Sequence, residues 1–95
     1  MLHSLALKGA TRVKTRLLFF GALGDALGRE RDVDLPLAGC SIAALRERLR
    51  ADDEAAASAM AGKTILASID QQIVGDEAIA RPGQEIAFFT PLSGG

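Results

Sequence analysis

The sequence contains very few of the side chains that usually carry chemistry. Its 95 residues include one cysteine, one histidine, and no tyrosine or tryptophan. A single thiol excludes an internal disulfide and is typical of a protein in the reducing cytoplasm. We interpret Cys40 as a small apolar residue before a helix rather than a nucleophile, because the only histidine, His3, precedes the predicted domain. A metal site would need carboxylates alone, and we predict no bound metal.

An excess of one charge and long apolar runs are also missing. The net charge is −1, with lysines and arginines scattered among acids, which argues against nucleic acid as a partner. The apolar run at residues 17–23 is too short to cross a bilayer, and Gly24-Asp25 ends it too early for a secretory leader. We therefore predict a cytoplasmic protein that binds neither nucleic acid nor membrane.

The hydrophobic pattern predicts one α+β domain. We interpret residues 1–14 as a poorly ordered N-terminal extension, 15–90 as the domain and 91–95 as an extended tail. Strands are predicted at 15–20, at 29–35 with an edge position ended by Pro36, at 64–70 and 73–75 as a hairpin, and at 85–89. Because 95 residues hold only one core, the helices between these strands must cover one face of the sheet.

The predicted helices follow from capping residues and spacing. Ser41 stands at an N-cap position, and Ile42, Leu45 and Leu49 follow at helical spacing. A second short helix is predicted at 55–60, where the acids at 52–54 suit the positive end of its dipole. Residues 21–28 are expected to form another short helix. Their glycines do not fit the G-x-G-x-x-G dinucleotide-binding pattern.

The C-terminal end combines a buried strand with a thin tail. In the strand 85–89, Ile86 and Phe88 share one face and Ala87 and Phe89 the other, so both faces need apolar cover and the strand should be central. Pro91 cannot continue the hydrogen-bonded ladder, so it directs the chain off the sheet. Gly94 and Gly95 lack side chains, so they would fit a narrow channel in another protein. The tail would thereby deliver its α-carboxylate to an active site in that protein.

Specific residues resemble a known family. The ending Phe88-Phe89-Thr90-Pro91-Leu92-Ser93-Gly94-Gly95 resembles the Phe-Phe-Pro-Pro-Val-Ser/Thr-Gly-Gly ending of the small, sulfur-carrying subunit of molybdopterin synthase. Residues 17–23 with Leu27-Gly28 are similar to that family's first strand and helix, and 41–49 and 66–74 to its main helix and later strands. Thr90 and Leu92 depart from the pattern. The resemblance covers 15–95 and implies a ubiquitin-like β-grasp: a mixed sheet with helices packed on one face.

The resemblance also implies a function. Gly95 would be adenylated with ATP by a partner activating enzyme, converted to a thiocarboxylate by a sulfur donor protein, and donate sulfur to cyclic pyranopterin monophosphate within the large synthase subunit. It further implies a two-plus-two heterotetramer, no permanently bound cofactor, and no catalytic group in this chain beyond its own terminus. The channel and partner-binding residues would be Gly94, Ser93, Leu92, Pro91, Phe88 and Phe89.

Three other functions remain open from the sequence. The same tail suits a sulfur carrier for thiazole, cysteine or tRNA thiolation. It also suits a ubiquitin-like modifier that is conjugated to lysines of target proteins. Finally, the chain would be a plain interaction module if its diglycine has no role.

Overall fold

The computed structural model describes residues 12–91, and its helices and strands alternate along the chain. In chain order they are β1 (Arg12–Phe20), α1 (Ala22–Leu27), β2 (Glu30–Pro36), β3 (Cys40–Ser41), α2 (Ile42–Asp52), α3 (Glu54–Met60), β4 (Leu66–Ile69), β5 (Gln72–Val74), β6 (Ile79–Ala80) and β7 (Ile86–Phe89).

The main sheet has five strands in the order β2-β1-β7-β4-β5. The strands β1 and β7 are parallel, and the other three neighbouring pairs are antiparallel. The last strand is therefore central and β2 lies at an edge, which confirms both predictions. The mixed sheet is that of the predicted α+β class.

One face of the sheet and all three helices share a single core. It includes Leu17, Phe19, Val33, Leu35, Ile86 and Phe88 from the sheet and Leu23, Ile42, Leu45, Leu49, Ala56 and Met60 from the helices. Sheet residues alternate between faces, so one residue in two contributes to this core. The prediction that the helices cover one face is confirmed.

The first strand begins earlier than the sequence pattern indicates. Residues 12–14 belong to β1, although we predicted that they end an N-terminal extension. Their pairing with β2 explains the difference, because Arg12 lies opposite Pro36 and Val13 opposite Leu35. The edge strand β2 continues to Pro36, so its pairing with β1 extends beyond the N-terminal end of the apolar run at residues 17–23. The rest of the predicted extension, residues 1–11, lies outside the described residues.

Local capping and turn chemistry follow the sequence closely. The Ser41 hydroxyl accepts a hydrogen bond from the Ala44 amide at 3.1 Å, as an N-cap should. Asp53 caps α3 by accepting from the Ala55 amide at 2.8 Å. Gly83 has a φ of 91°, and the Gln84 amide donates to the Arg81 carbonyl at 3.3 Å, so residues 81–84 form a tight turn that leads into β7.

A two-stranded sheet of β3 and β6 was not predicted. Cys40 pairs with Ala80 and Ser41 with Ile79. The start of α2 is fixed by the same segment, since the Ile42 amide donates to the Ala78 carbonyl at 2.9 Å. This small sheet ties the main helix to the connection that leads into β7.

Candidate functional site

The two phenylalanines at the end of β7 lie on opposite faces of the sheet. Phe88 is fully buried in the core, whereas Phe89 is partly exposed on the face without helices. Of the two phenylalanines predicted to bind partners, Phe88 is therefore a core residue, and a partner could reach its ring only by opening the core. Phe89 remains accessible.

Phe89 belongs to an apolar surface that spans four strands. Phe20 of β1 and Leu66 of β4 lie beside it in register, one on each side. The next row runs from Leu18 through Ala87 and Ser68, which are both buried, to Ile73 of β5. We call the accessible apolar residues of this surface the open-face patch, and it consists of Leu18, Phe20, Leu66, Ile73 and Phe89. Phe20 is 49% exposed and Ile73 65%, so the patch is accessible to another protein.

Charged side chains occupy the other half of the same face. Along β1 and β2, Arg16 lies opposite Asp32 and Lys14 opposite Asp34. Arg16 also forms an exposed ion pair with Glu30, with 3.2 Å between Nε and Oε1. Contiguous apolar surface bounded by polar residues marks a protein interaction site more often than scattered exposed side chains do. The row formed by Phe20, Phe89 and Leu66, with the charged half of the face beside it, has this arrangement.

Beneath the patch, the core side of β7 is held rigidly. The rings of Phe88 and Phe19 stack with centroids 6.4 Å apart. The Arg46 guanidinium lies 5.6 Å from the centre of the Phe88 ring, and its Nε donates to Asp76 at 2.8 Å. A stacked aromatic pair covered by a fixed cation resists local opening. The strand that carries the tail therefore has a firm base.

The tail leaves the domain directly beside the patch. Thr90 is partly exposed, Pro91 is exposed, and neither continues the sheet. Gly21, which follows β1, has a φ of 69°, and a Cβ added to it would lie 2.8 Å from Thr90 Oγ1. Glycine thus permits both the turn and the close approach. The predicted site residues Leu92, Ser93, Gly94 and Gly95 lie outside the described residues.

Two titratable groups of the described residues, Cys40 and Asp53, have shifted pKa values. Burial raises the pKa of the Cys40 thiol and outweighs the opposing effect of Arg48, which favours the unreactive thiol form. Cys40 also packs against the core, as predicted. The pKa of Asp53 is lowered, chiefly by the hydrogen bond from Arg31, and this suits its capping role. Within residues 12–91 no group of three histidine, cysteine or acidic side chains is placed to hold a metal ion.

Sequence reasoning missed most of the open-face patch. The alternation of residues 17–20 places Leu18 and Phe20 on the face opposite Leu17 and Phe19, and this signal was available. Leu66 and Ile73 carried no such signal. Their position beside Phe89 depends on which strands become neighbours, and that order is a property of the folded sheet.

Comparison with solved structures identifies the fold. Small archaeal modifier protein 1 (SAMP1) from Haloferax volcanii superimposes with a TM-score of 0.70 at 21% identity, covering 87% of this chain and 100% of that one. A second crystal structure of this modifier gives 0.67 at 18% identity, covering 84% and 99%. A further Haloferax volcanii protein, solved in solution, gives 0.68 at 15% identity, covering 90% and 89%. The architecture is the ubiquitin-like β-grasp.

Sequence comparison identifies the family. The model of the ThiS family matches residues 17–95, and the chain belongs to this family. It is also 29% identical over 83 residues to the molybdopterin synthase sulfur carrier subunit of Escherichia coli strain K12, covering 84% of this chain and 98% of that protein. None of the helices within residues 12–91 is long and apolar enough to span a membrane.

Proposed function

We propose that this protein is the sulfur-carrying small subunit of a molybdopterin synthase. The observation that carries the proposal is its similarity to the Escherichia coli sulfur carrier subunit across nearly the whole of that protein. Membership of the ThiS family, with a match that extends through Gly95, supports it. The open-face patch adds a docking surface directly beside the root of the tail.

In this proposal Gly95 is the reactive residue. An α-carboxyl group has a pKa of about 3.3 to 3.7, so it is ionised at neutral pH and can attack the α-phosphate of ATP in an activating enzyme. Pyrophosphate leaves, and the resulting acyl-adenylate then loses AMP when a sulfur donor protein supplies sulfur. The thiocarboxylate would donate that sulfur to cyclic pyranopterin monophosphate in the large subunit. The chain itself supplies a nucleophile on a removable arm, and its partners supply the active-site walls.

The remaining tail residues would provide reach and clearance. Six extended residues, 90–95, span roughly 20 Å, enough for a deep active-site channel. Gly94 would leave the channel free of side-chain atoms, while Ser93, Leu92 and Pro91 line the passage. Phe89 would anchor the base of the tail together with the exposed Phe20. We propose that both the activating enzyme and the large subunit dock there, in a two-plus-two assembly with the latter.

The mass of the intact chain purified from its own host tests the proposal. We expect a population in which one oxygen at Gly95 is replaced by sulfur. Purified chain of that kind should convert cyclic pyranopterin monophosphate to molybdopterin when mixed with the large subunit. Sulfur at the terminus without this conversion would favour a carrier for thiazole, cysteine or tRNA thiolation. Chain linked to target lysines, without sulfur, would favour a protein modifier.

A glycine substitution provides a second test. Gly94→Val should leave the domain folded but abolish ATP-dependent activation, because the added side chain would obstruct the channel. Gly75→Val is the matched control, since Gly75 has no positive φ and a Cβ there would meet no atom within 4 Å. Normal activation of Gly94→Val by the host activating enzyme would contradict the proposed channel.

A further inference from the structure

The contact between Gly21 and Thr90 joins the end of β1 to the root of the tail. The two parallel strands remain paired up to Phe20 and Phe89, and the next residue on each strand is Gly21 and Thr90. A Cβ on Gly21 would lie 2.8 Å from Thr90 Oγ1, 3.5 Å from its carbonyl oxygen and 3.9 Å from its nitrogen. The side of Gly21 on which a Cβ would stand therefore faces Thr90, with no room for a side chain.

The side chain of Thr90 has little freedom to yield. A Cβ contact becomes ordinary only beyond 3.4 Å, so Oγ1 would have to move by about 0.6 Å. Threonine carries two heavy atoms, Oγ1 and Cγ2, on its Cβ and is stiff about χ1. Rotation about χ1 therefore leaves one of these atoms facing residue 21 in two of the three staggered rotamers. A side chain at residue 21 would therefore push on the residue from which the tail begins.

We propose that Gly21 is a positioning residue that sets the direction in which the C-terminal tail leaves the domain. This inference rests on the proposed function of the tail. Pairing with β1 fixes the chain up to Phe89, the missing side chain of Gly21 leaves Thr90 the space it occupies, and the ring of Pro91 restricts its own φ. The reactive end would thereby start its path from a defined point and angle. Displacing reacting groups by about 1 Å can lower a rate by as much as 100-fold.

The test is the Gly21→Ala variant, with Gly28→Ala as its control. Gly21 (φ 69°, ψ −149°) and Gly28 (φ 91°, ψ 169°) flank the same helix in a backbone region that side chains disfavour, but nothing lies within 4 Å of a Cβ on Gly28. Both variants thus carry backbone strain, and only one presses on Thr90. The assay is ATP–pyrophosphate exchange by the host activating enzyme, with unfolding curves to show that each variant is folded. For Gly21→Ala we expect kcat to fall at least about tenfold with KM unchanged, because the open-face patch is intact.

Rescue distinguishes positioning from a general structural effect. Thr90→Ala removes the atom that is 2.8 Å away, so the double variant Gly21→Ala/Thr90→Ala should recover the kcat of Thr90→Ala alone. Equal kcat values for Gly21→Ala and Gly28→Ala, or no recovery in the double variant, would overturn the inference. In the free protein, Gly21→Ala should also shift the amide resonances of Phe89 and Thr90, and Thr90→Ala should reverse the Phe89 shift.

The two proposals fail in different ways. Absence of exchange with the wild-type chain would contradict the proposed function. The resonance shifts would then still report whether Gly21 fixes Thr90. Normal exchange by wild type and by Gly21→Ala would leave the proposed function intact and refute the positioning role.

Discussion

Replacing Phe19 and Phe20 by alanine, one at a time, separates the two faces of the sheet. The residues are adjacent in β1 and chemically identical, but Phe19 is fully buried while Phe20 is 49% exposed. Because the substitution is the same, any difference in outcome reports the face on which the ring lies. We expect Phe19→Ala to affect stability and Phe20→Ala to affect partner binding.

The expected magnitudes follow from burial. The Phe19 ring stacks on Phe88 and lies under the Arg31 guanidinium, 5.8 Å from the ring centre. Truncating such a core ring costs about 3–5 kcal/mol. That is a large share of the roughly 5–15 kcal/mol that stabilise a typical domain. Full burial of such a side chain contributes about 1.5–3 kcal/mol. Because Phe20 is about half exposed, Phe20→Ala should lose about half of that free energy of unfolding, or about 1 kcal/mol.

Binding is expected to show the opposite order. A central anchor in an interface contributes about 2 kcal/mol or more, which corresponds to roughly a 30-fold change in affinity. Urea unfolding measures the first effect, and the KM of the chain in ATP–pyrophosphate exchange reports the second. Asp32→Ala, an exposed substitution in the charged half of the same face, should change neither. Equal destabilisation by both phenylalanine variants, or an unchanged KM for Phe20→Ala, would refute the assignment of the faces.

Three further predictions concern local features, and urea unfolding tests each of them. Gln71 has a φ of 69°, so Gln71→Gly should stabilise the hairpin by about 0.5–1 kcal/mol, whereas Gln72→Gly within β5 should destabilise it. Ser41→Ala should cost about 1 kcal/mol through loss of the N-cap, and an unchanged midpoint would contradict that role. The pKa of Asp53 is lowered in the folded protein, so its ionised form should stabilise the fold at pH values above 3.8, its ordinary pKa. This stabilisation should be lost as the pH falls through the lowered pKa. The stability difference between wild type and Asp53→Asn should therefore be full at neutral pH and shrink in acid. A pH-independent difference would refute it.

The sequence predicts most of the secondary structure, because the signals for it are local. The N-cap at Ser41 and the alternation of Val33 and Leu35 with acids each identify an element from a few neighbouring residues. The early start of β1 and the β3–β6 pair are not predictable in this way. Arg12 and Cys40 join strands only because Pro36 and Ala80 lie opposite them, and those partners are distant in sequence.

The candidate site shows the same division. The proposed reactive end follows from a short motif, whereas the open-face patch required the sheet order. Phe20, Leu66 and Phe89 come from three strands, and only their register brings them into one row. The close approach of Gly21 to Thr90 likewise depends on the parallel pairing of β1 with β7.

The position of β7 explains how a firm domain can carry a slender tail. This strand pairs with β1 on one side and β4 on the other, so local opening at Phe89 would break two ladders instead of one. Edge strands and chain ends usually have the lowest local stability, and a tail rooted there would begin at an undefined point. Because the tail follows β7, the chain is paired with a strand on each side at Phe89 and with no strand at Pro91. The point at which the chain leaves the sheet is thus set by the fold, and the open-face patch lies at that same boundary.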